Sequence, residues 1–427
     1  MESQKQVRVD EALVRQEGPP PSEEPHSSRC FPCFRLLKPY ISNIKDERLM
    51  DDAKIISSEV ALTLGLPPSC IQFCPAHPNL FVVGTYNLEK NDDAQTGKED
   101  DNGDDDREQV IATKTPQSRN GSLVVFKVDG SKLHLVQTFL QPSAILDLRF
   151  HPAKGRQDIL AVVSSTGTLA VFKLDPAQNS PEPLQHISTS RCEDIGEDVL
   201  FLQCNWHPEI PNAIGVTTST SSARLLHLDE EYRIKDFTEL NIANSLEAWC
   251  IAFSSGKLTS TDHKTQVTAY CGGDDSMLRY TSCVWNPNDS ESPCEEPYSP
   301  ITVKGTHDAG VTAILPLPVF VKNDGRVVVT GSYDDHLRVF IIHDLHETYG
   351  MKKVELVLEE NMGGGVWRLD LVNIQTGTVS IKIRVLASCM HAGARLVDLE
   401  VKDEQEWTCN VLARFEEHKS MNYGSDF

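Results

Sequence analysis

The sequence has no apolar run that approaches the roughly 20 residues needed to cross a bilayer. Its first residues, MESQKQVRVDEALVRQEG, are polar and do not form a secretory leader. Basic residues are also few, with 40 Lys and Arg against 62 Asp and Glu and a formal net charge of -22. Because such a surface repels phosphates, nucleic acid and anionic membranes are disfavoured as partners. We therefore expect an intracellular, cytoplasmic protein.

Paired metal ligands are lacking as well. The 12 cysteines are scattered, and the one CxxC spacing, in CFPCF at residues 30–34, has no second pair near it. Zinc sites of the CxxC type need that second pair, so the cysteines are expected to be reduced core thiols. We expect neither a metal nor a cofactor.

Two stretches cannot contribute to a packed core. Residues 1–54 include the Pro-, Ser- and Glu-rich run PPPSEEPHSS and are expected to form a disordered tail. The run EKNDDAQTGKEDDNGDDDRE is dense in acid, and it predicts a disordered insertion at about residues 89–120. Residues 55–427 remain for a single folded domain.

Helical periodicity is scarce from about residue 55 onward. Short β-branched runs bounded by Gly, Pro, Asp and Ser recur instead, which is typical of short antiparallel strands. They recur in units of an apolar strand that often ends in an aromatic residue, a strand of small residues, a turn and a third strand. Six units follow one another, beginning CIQFCPAHPNLFVVGTY, AILDLRFHP, FLQCNWHPEIPNAIGVTT, EAWCIAF, HDAGVTAILPLP and GGGVWRLDLV. The pattern predicts an all-β fold, a β-propeller of four-stranded sheets.

Too few residues follow the sixth unit to complete another blade. We expect SMNYGSDF, at the end of the chain, to supply an inner strand and residues 55–64 an outer one. The prediction is six full blades and an incomplete seventh, with the chain truncated relative to its relatives.

The stretch VVVTGSYDDHLRVF resembles the WD-repeat family. Gly331, Ser332, Tyr333 and Asp334 match the family's glycine–serine–any–aspartate turn, and His307 matches the histidine that precedes its first strand. The resemblance implies a seven-bladed WD-repeat β-propeller in which His307 and Asp334 hydrogen-bond within one blade. Asp275 would be the equivalent aspartate one blade earlier. The pair is two thirds of a catalytic triad in composition, but we interpret it as structural.

Polar and aromatic residues that the repeat does not require fall in two kinds of loop in blades four to six. One kind precedes the innermost strand, and the other joins the second and third strands. Both kinds open on the same face of a propeller, so these residues should converge on one rim. The candidates are Glu247, Trp249, Asp274, Tyr333, Asp335, His336, Trp367, Arg368 and His391.

The rim motifs EAW, GGDD, GSYDDH, GGGVWR and CMHAG, in this order, resemble the methyl ester hydrolases of the diphthamide pathway. VVGTYNLEK and HKSMNYGSDF add to this resemblance, which spans about residue 58 to the end. It implies hydrolysis of the methyl ester of methylated diphthine on translation elongation factor 2. The expected partner is therefore that protein substrate.

Roles follow from residue type and placement. No G-x-S-x-G elbow is present, so direct attack by water is expected, with His336 or His391 as general base and Asp335 orienting it. Arg368 and the amides of residues 363–365 would stabilise the oxyanion, and Cys389 is an alternative nucleophile. The substrate-binding residues would be Glu247, Trp249, Asp274, Tyr333 and Trp367, around a trimethylammonium group.

Two other functions compete with this hypothesis. A non-catalytic WD-repeat interaction scaffold would need only a rim that binds another protein. A methyltransferase would need a site for a methyl donor, and no strand, glycine-rich loop and helix unit for such a cofactor is evident in the sequence.

Overall fold

The computed structural model describes residues 7–10, 53–88, 119–178, 181–242, 244–255, 265–285, 294–296, 298–322, 324–343 and 354–427. Within these ranges there are strands and turns and no helix. The tail expected at 1–54 and the insertion expected at about 89–120 fall almost entirely outside them. Their disorder, and the division of the chain at residue 55, stay predictions.

The first three blades are four-stranded antiparallel sheets made from consecutive chain segments. Blade 1 contains β4 (Pro68–Cys74), β5 (His77–Leu88), β6 (Arg119–Asp129) and β7 (Lys132–Gln141). Blade 2 contains β8 (Ile145–Phe150), β9 (Ile159–Ser164), β10 (Thr168–Leu174) and β11 (Leu184–Arg191). Blade 3 contains β12 (Phe201–Trp206), β13 (Ala213–Thr218), β14 (Ala223–Leu228) and β15 (Ile234–Glu239).

Blades 4 to 6 repeat this arrangement, with one extra strand in each of blades 4 and 6. Blade 4 contains β16 (Ala248–Ser255), β17 (Thr265–Gly273), β18 (Leu278–Trp285), β19 (Cys294–Glu295) and β20 (Ile301–Val303). Blade 5 contains β21 (Val311–Val321), β22 (Gly325–Ser332), β23 (His336–Ile342) and β24 (Val354–Asn361). Blade 6 contains β25 (Arg368–Thr376), β26 (Ser380–Ser388), β27 (Ala394–Lys402) and β28 (Glu406–Phe415), with β2 (Lys54–Ile55) added parallel to β28.

The sheets form a β-propeller, which confirms the all-β prediction. The first strand of each blade is innermost, and β4, β8, β12, β16, β21 and β25 contact one another in that order. Strands in the middle of a blade, such as β9, β13 and β22, are buried at every position because neighbouring blades cover both faces. Outer strands such as β7 are exposed or partly exposed at every position. The third strand of blade 1 pairs directly with β5 across the acidic run, as expected.

The prediction of six full blades is confirmed for the described residues. The predicted seventh sheet, with residues 55–64 as its outer strand and the last residues of the chain as its inner strand, is wrong. Residues 54–55 join blade 6, and β3 (Val60–Thr63) pairs in parallel with β1 (Val7–Asp10). The last residues of the chain run near the inner strands, where they make a single bridge between Asn422 and Met390. Blade 6 is complete at Phe415, so residues 416–427, here called the C-terminal segment, are left over.

Side chains on one inner element accept backbone N–H groups of the next inner strand. The acceptor pairs are Gln72 Oε1 with Phe150 N (2.6 Å), Asp147 Oδ2 with Cys204 N (3.2 Å) and Gln203 Oε1 with Ile251 N (2.8 Å). Asp426 Oδ2 of the C-terminal segment accepts Phe73 N of β4 at 2.6 Å in the same way. The segment therefore takes the place of an inner strand ahead of blade 1.

The turn at Asp334 ties blade 5 together, although not through the expected histidine. Asp334 Oδ2 accepts the backbone N–H of Asp308 at 2.8 Å, and Arg338 Nη1 donates to Asp334 Oδ1 at 2.9 Å. His307 Nε2 instead lies 2.9 Å from Thr330 Oγ1, so the predicted His307–Asp334 hydrogen bond is wrong. The aspartate bonds the loop backbone because the imidazole is already engaged with the neighbouring strand.

The expected equivalence of Asp275 in blade 4 is borne out by its contacts. Asp275 Oδ2 accepts the backbone N–H of Ser245, in the loop before β16, at 2.8 Å. Arg279 Nη2 donates to the same oxygen at 2.7 Å, four residues along the chain as in the Asp334–Arg338 pair. Blades 4 and 5 thus hold the loop before their first strand with the same aspartate–arginine arrangement.

We predict that Asp334→Ala lowers the free energy of unfolding by about 1–3 kcal/mol, because it leaves the buried Arg338 short of an acceptor. Asp308→Ala is the control, since it keeps the backbone N–H that Asp334 accepts. Chemical denaturation of both variants checks this, and equal stabilities would contradict the structural role.

The loss of stability in Asp334→Ala should depend on pH. Burial alone would raise the pKa of Asp334, but hydrogen bonds from His336 and Arg338 outweigh it and hold the pKa well below its usual range. A depressed pKa adds stability above the ordinary value of about 4, and this is lost as pH falls through the lower folded-state pKa. The stability gap between wild type and Asp334→Ala should therefore shrink in acid.

Candidate functional site

Three aromatic rings from blades 4, 5 and 6 meet on one face, here called the rim. Trp249 lies near the start of β16, Tyr333 in the turn between β22 and β23, and Trp367 just before β25. The ring centroids are 5.6 Å apart for Trp249 and Trp367, 5.8 Å for Tyr333 and Trp367, and 6.4 Å for Trp249 and Tyr333. All three side chains are partly exposed. The predicted convergence of these residues is therefore present.

Backbone hydrogen bonds between blades fix these loops. Val366 N, in the loop before β25, donates to Ser332 O in the blade 5 turn at 2.9 Å, and Tyr333 N donates to Gly310 O at 3.0 Å. Thr312 Oγ1 donates to Val366 O at 2.5 Å. The rings are thus carried by loops that are bonded to neighbouring strands.

Acidic side chains border the aromatic group on its blade 4 side. Trp249 Nε1 donates to Asp274 Oδ1 at 2.5 Å, and Glu247 lies two residues before Trp249. Burial raises the pKa of Asp274, the hydrogen bond from Trp249 lowers it, and the nearby charge of Glu247 raises it further, with a net increase. The rim therefore combines aromatic faces with negative charge, which suits an organic cation.

The imidazoles belong to the same two blades as Tyr333 and Trp367, with His336 at the start of β23 and His391 in the turn at 389–393. His336 Nδ1 is 2.6 Å from Asp334 O, and the hydrogen bond to Asp334 raises the pKa of His336 despite burial. Burial raises the pKa of Asp335, while the charges of His391 and His336 oppose that increase. The structure thus brings Asp335, His336 and the exposed His391 together. Their predicted catalytic roles stay predictions.

Arg368 is not part of this surface. It is 5% exposed and forms a buried ion pair with Asp147 of β8 on the other side of blade 1. Burial would lower its pKa, but the carboxylate of Asp147 more than compensates and raises it. The Arg368 side chain lies inside the ring of blades, where its ion pair with Asp147 joins blades 2 and 6. The prediction that it lies on the rim with the others is wrong.

The glycine-rich stretch and the cysteine are also used in packing. A Cβ on Gly364 would lie 2.6 Å from Cys389 O, and one on Gly365 would lie 2.7 Å from Met390 Sδ. Gly363 N already donates to Asn361 Oδ1 at 2.8 Å. Burial raises the pKa of Cys389 to about 12, so its thiol stays protonated at neutral pH. These groups hold the loop against the turn at 389–393.

Sequence reasoning left out one aromatic residue of the rim. Tyr423, in the C-terminal segment, lies with its ring centroid 5.4 Å from that of Trp367 and at 70° to it. Its position near the end of the chain gave no signal of which blade it would meet. The only hint was its place in HKSMNYGSDF, one of the stretches that carry the resemblance.

The described residues contain no group of three or more His, Cys, Asp or Glu side chains that could hold a metal ion. In the same ranges, no helix has the length and apolar character of a membrane span. The ten described cysteines are all buried and free.

Fold and site together define a β-propeller whose rim carries an aromatic and acidic surface suited to an organic cation. The chain is similar to curated proteins with one name. It is 24% identical over 379 residues to the diphthine methyltransferase homolog of Dictyostelium discoideum, covering 84% of this chain and 88% of the relative. It is 25% identical to the diphthine methyltransferases of Homo sapiens, over 85% of this chain and 72% of the relative, and of Saccharomyces cerevisiae, over 86% and 92%.

These similarities confirm the resemblance to proteins of the diphthamide pathway. No protein-family model matches the chain, so its WD-repeat membership stays a prediction. The expected methyl ester hydrolysis is wrong on this comparison, because the relatives are named for methylation of diphthine. The alternative of a non-catalytic scaffold gains no support either, since the relatives carry the name of an enzyme.

The close packing of the glycine-rich loop leads to a prediction. Gly364→Ala should lower the free energy of unfolding by about 1–3 kcal/mol, because the new methyl group would overlap backbone of the turn at 389–393. It should also change the near-UV circular dichroism of the rim aromatics. Gly65→Ala is the control, since nothing lies within 4 Å of a Cβ added there. Indistinguishable urea transitions for the two variants would refute the packing role.

Proposed function

We propose that this chain binds the diphthine side chain of a protein and acts in the methylation chemistry of diphthine during diphthamide biosynthesis. The observation that carries the proposal is the aromatic group of Trp249, Tyr333 and Trp367 beside Asp274. Diphthine is a histidine whose added chain bears a trimethylammonium group and a carboxylate. The relatives share a name that specifies diphthine as the substrate.

A trimethylammonium group has no N–H to donate, so a protein can recognise it only through shape, charge and cation–π attraction. Tryptophan is the best side chain for cation–π attraction, and each such contact contributes about 0.5–2 kcal/mol, most when it is desolvated. Asp274 lies beside the indole of Trp249 and places a negative charge next to the rings. Glu247 adds to that charge. The site thereby matches the cationic end of diphthine.

The imidazoles suit the other end of the same ligand. His336, whose pKa is raised by Asp334, carries positive charge at higher pH than an ordinary histidine, and it is three residues from Tyr333. His391 lies close enough to act on the charge of Asp335. In this proposal, His336 and His391 bind the diphthine carboxylate, and Asp335 orients them. Arg368 has no part, because it is buried with Asp147.

A methyltransferase also needs a methyl donor, and the described residues do not fit a site for a nucleotide-linked one. The stretch at 363–365 is followed by the strand β25 instead of a helix, so it offers no helix N-terminus. The spaces beside Gly364 and Gly365 are filled by the turn at 389–393. We therefore assign the described residues to diphthine alone and derive no step that involves the donor.

The protein that carries diphthine is, in this proposal, translation elongation factor 2, and the reaction takes place in the cytoplasm. The net charge of -22 would favour association with a basic protein surface. Nucleic acid and membrane have no role in it.

The test uses a synthetic peptide that contains diphthine, with binding measured by tryptophan fluorescence and calorimetry. Trp249→Leu and Trp367→Leu should each weaken binding about tenfold or more, because a desolvated cation–π contact is worth about 2 kcal/mol. Trp407→Leu, on the outer strand β28, is the matched control and should bind as wild type does. Affinity should also fall in acid as Asp274 is protonated, at a higher pH than for an ordinary aspartate.

A second peptide separates charge recognition from general apolar binding. It carries a neutral tert-butyl group in place of trimethylammonium and should bind weakly to all the proteins. Incubation of the diphthine-bearing protein with the chain in cell extract should change the number of methyl groups on diphthine, as read by mass spectrometry. Equal affinity for both peptides would contradict the assignment of the aromatic site.

A further inference from the structure

We infer that the C-terminal segment is part of the ligand site, with Tyr423 as a fourth aromatic wall and Asp426 as the residue that docks the segment. This deepens the proposed function and rests on it for the identity of the ligand. The observation that carries it is that the segment contacts both blade 6 and blade 1, and brings Tyr423 to Trp367 between those contacts.

The blade 6 anchor lies directly before Tyr423. Asn422 N donates to Met390 O at 2.9 Å, next to the turn that carries His391. Asn422 is 3% exposed, and its side chain accepts Gly424 N at 3.3 Å and donates to Ser425 Oγ at 3.0 Å. This closed turn fixes the direction in which Tyr423 leaves the chain.

The blade 1 anchor lies directly after Tyr423. A Cβ on Gly424 would lie 3.1 Å from Ile71 Cγ2, so the backbone of the segment approaches β4 closely. Two residues later, Asp426 Oδ2 accepts Phe73 N at 2.6 Å. Tyr423 is therefore held on both sides, and it is partly exposed at the rim.

The geometry at Trp367 suits a wall of the ligand site. The ring of Tyr423 meets Trp367 edge to face, and Trp367 in turn contacts both Trp249 and Tyr333. Trp367 is thus the central ring of four. Aromatic groups that bind quaternary ammonium ions surround the cation with several rings, and a fourth ring would complete such an enclosure.

The docking contact is formed by a carboxyl group in an unfavourable environment for charge. Burial raises the pKa of Asp426 to about 7, and Asp370 of β25 adds to the increase. The hydrogen bond from Phe73 of β4 and the charge of Arg149 of β8 oppose it. The charge of Arg149 is shared between Asp426 and Asp370, because Arg149 Nη1 lies 3.5 Å from Asp370 Oδ1. Ionisation of Asp426 therefore weakens the docking of the segment.

The first experiment compares three variants for binding of the diphthine peptide and of the tetramethylammonium ion. Tyr423→Leu, which keeps apolar contact with Trp367 but has no ring, should weaken binding of both about 3- to 30-fold. Tyr423→Phe should restore most of the affinity. Phe427→Leu is the matched control, because that ring is 50% exposed and lies in the same segment.

The two probes distinguish failure of this inference from failure of the proposed function. Wild-type binding of both probes, unchanged in Tyr423→Leu, overturns the inference and leaves the proposed function intact. If the wild type binds tetramethylammonium but not the peptide, the proposed function is overturned. Weaker binding of tetramethylammonium by Tyr423→Leu would in that case still support the fourth wall. Absence of binding to either probe overturns both.

The second experiment tests docking by pH. A pKa raised above its ordinary value stabilises the docked state in acid, and that stabilisation is lost as pH rises through about 7. Affinity for tetramethylammonium should therefore decrease in the wild type as pH rises from about 4, the ordinary pKa of an aspartate, to about 7, and should change little above that. Asp426→Asn keeps an acceptor for Phe73 N, has no ionisable group, and should bind with no such decrease. An identical pH profile in this variant would overturn the role of Asp426.

Discussion

The innermost strand of each blade is an edge strand, and its backbone N–H groups have no ladder partner on the side of the preceding blade. Buried N–H groups must be hydrogen-bonded, or each costs about 1–3 kcal/mol. In blades 2, 3 and 4, the side chains of Gln72, Asp147 and Gln203 on the preceding inner strand fill that need. The arrangement of blades depends on this requirement.

The same requirement explains the position of the C-terminal segment. With six full blades, β4 needs an acceptor from an element that precedes it in the ring, and Asp426 supplies it to Phe73. The buried ion pair of Arg368 and Asp147 joins blade 6 directly to blade 2, on the other side of blade 1. Removal of one partner from a buried pair leaves an uncompensated charge, so loss of either side chain is expected to be strongly destabilising.

Contacts that hold the scaffold and contacts on the rim are made by adjacent residues of one turn. In the turn after β22, Asp334 is bonded to Asp308 and Arg338, whereas Tyr333 and Asp335 on either side of it face the rim groups. Because Asp334 fixes the loop, the backbone positions of Tyr333 and Asp335 are fixed as well.

The sequence by itself determined the features that depend on neighbours along the chain. The six strand units, the turn chemistry of Gly331 to Asp334 and the convergence of Trp249, Tyr333 and Trp367 follow from local periodicity and from the fixed geometry of a propeller loop. Only the tertiary structure decided the features that depend on ring closure. Arg368 and Asp147 are 221 residues apart, and Tyr423 reaches Trp367 only through contacts with blades 1 and 6. No local pattern encodes those contacts, since they join residues of different blades that are far apart in the sequence.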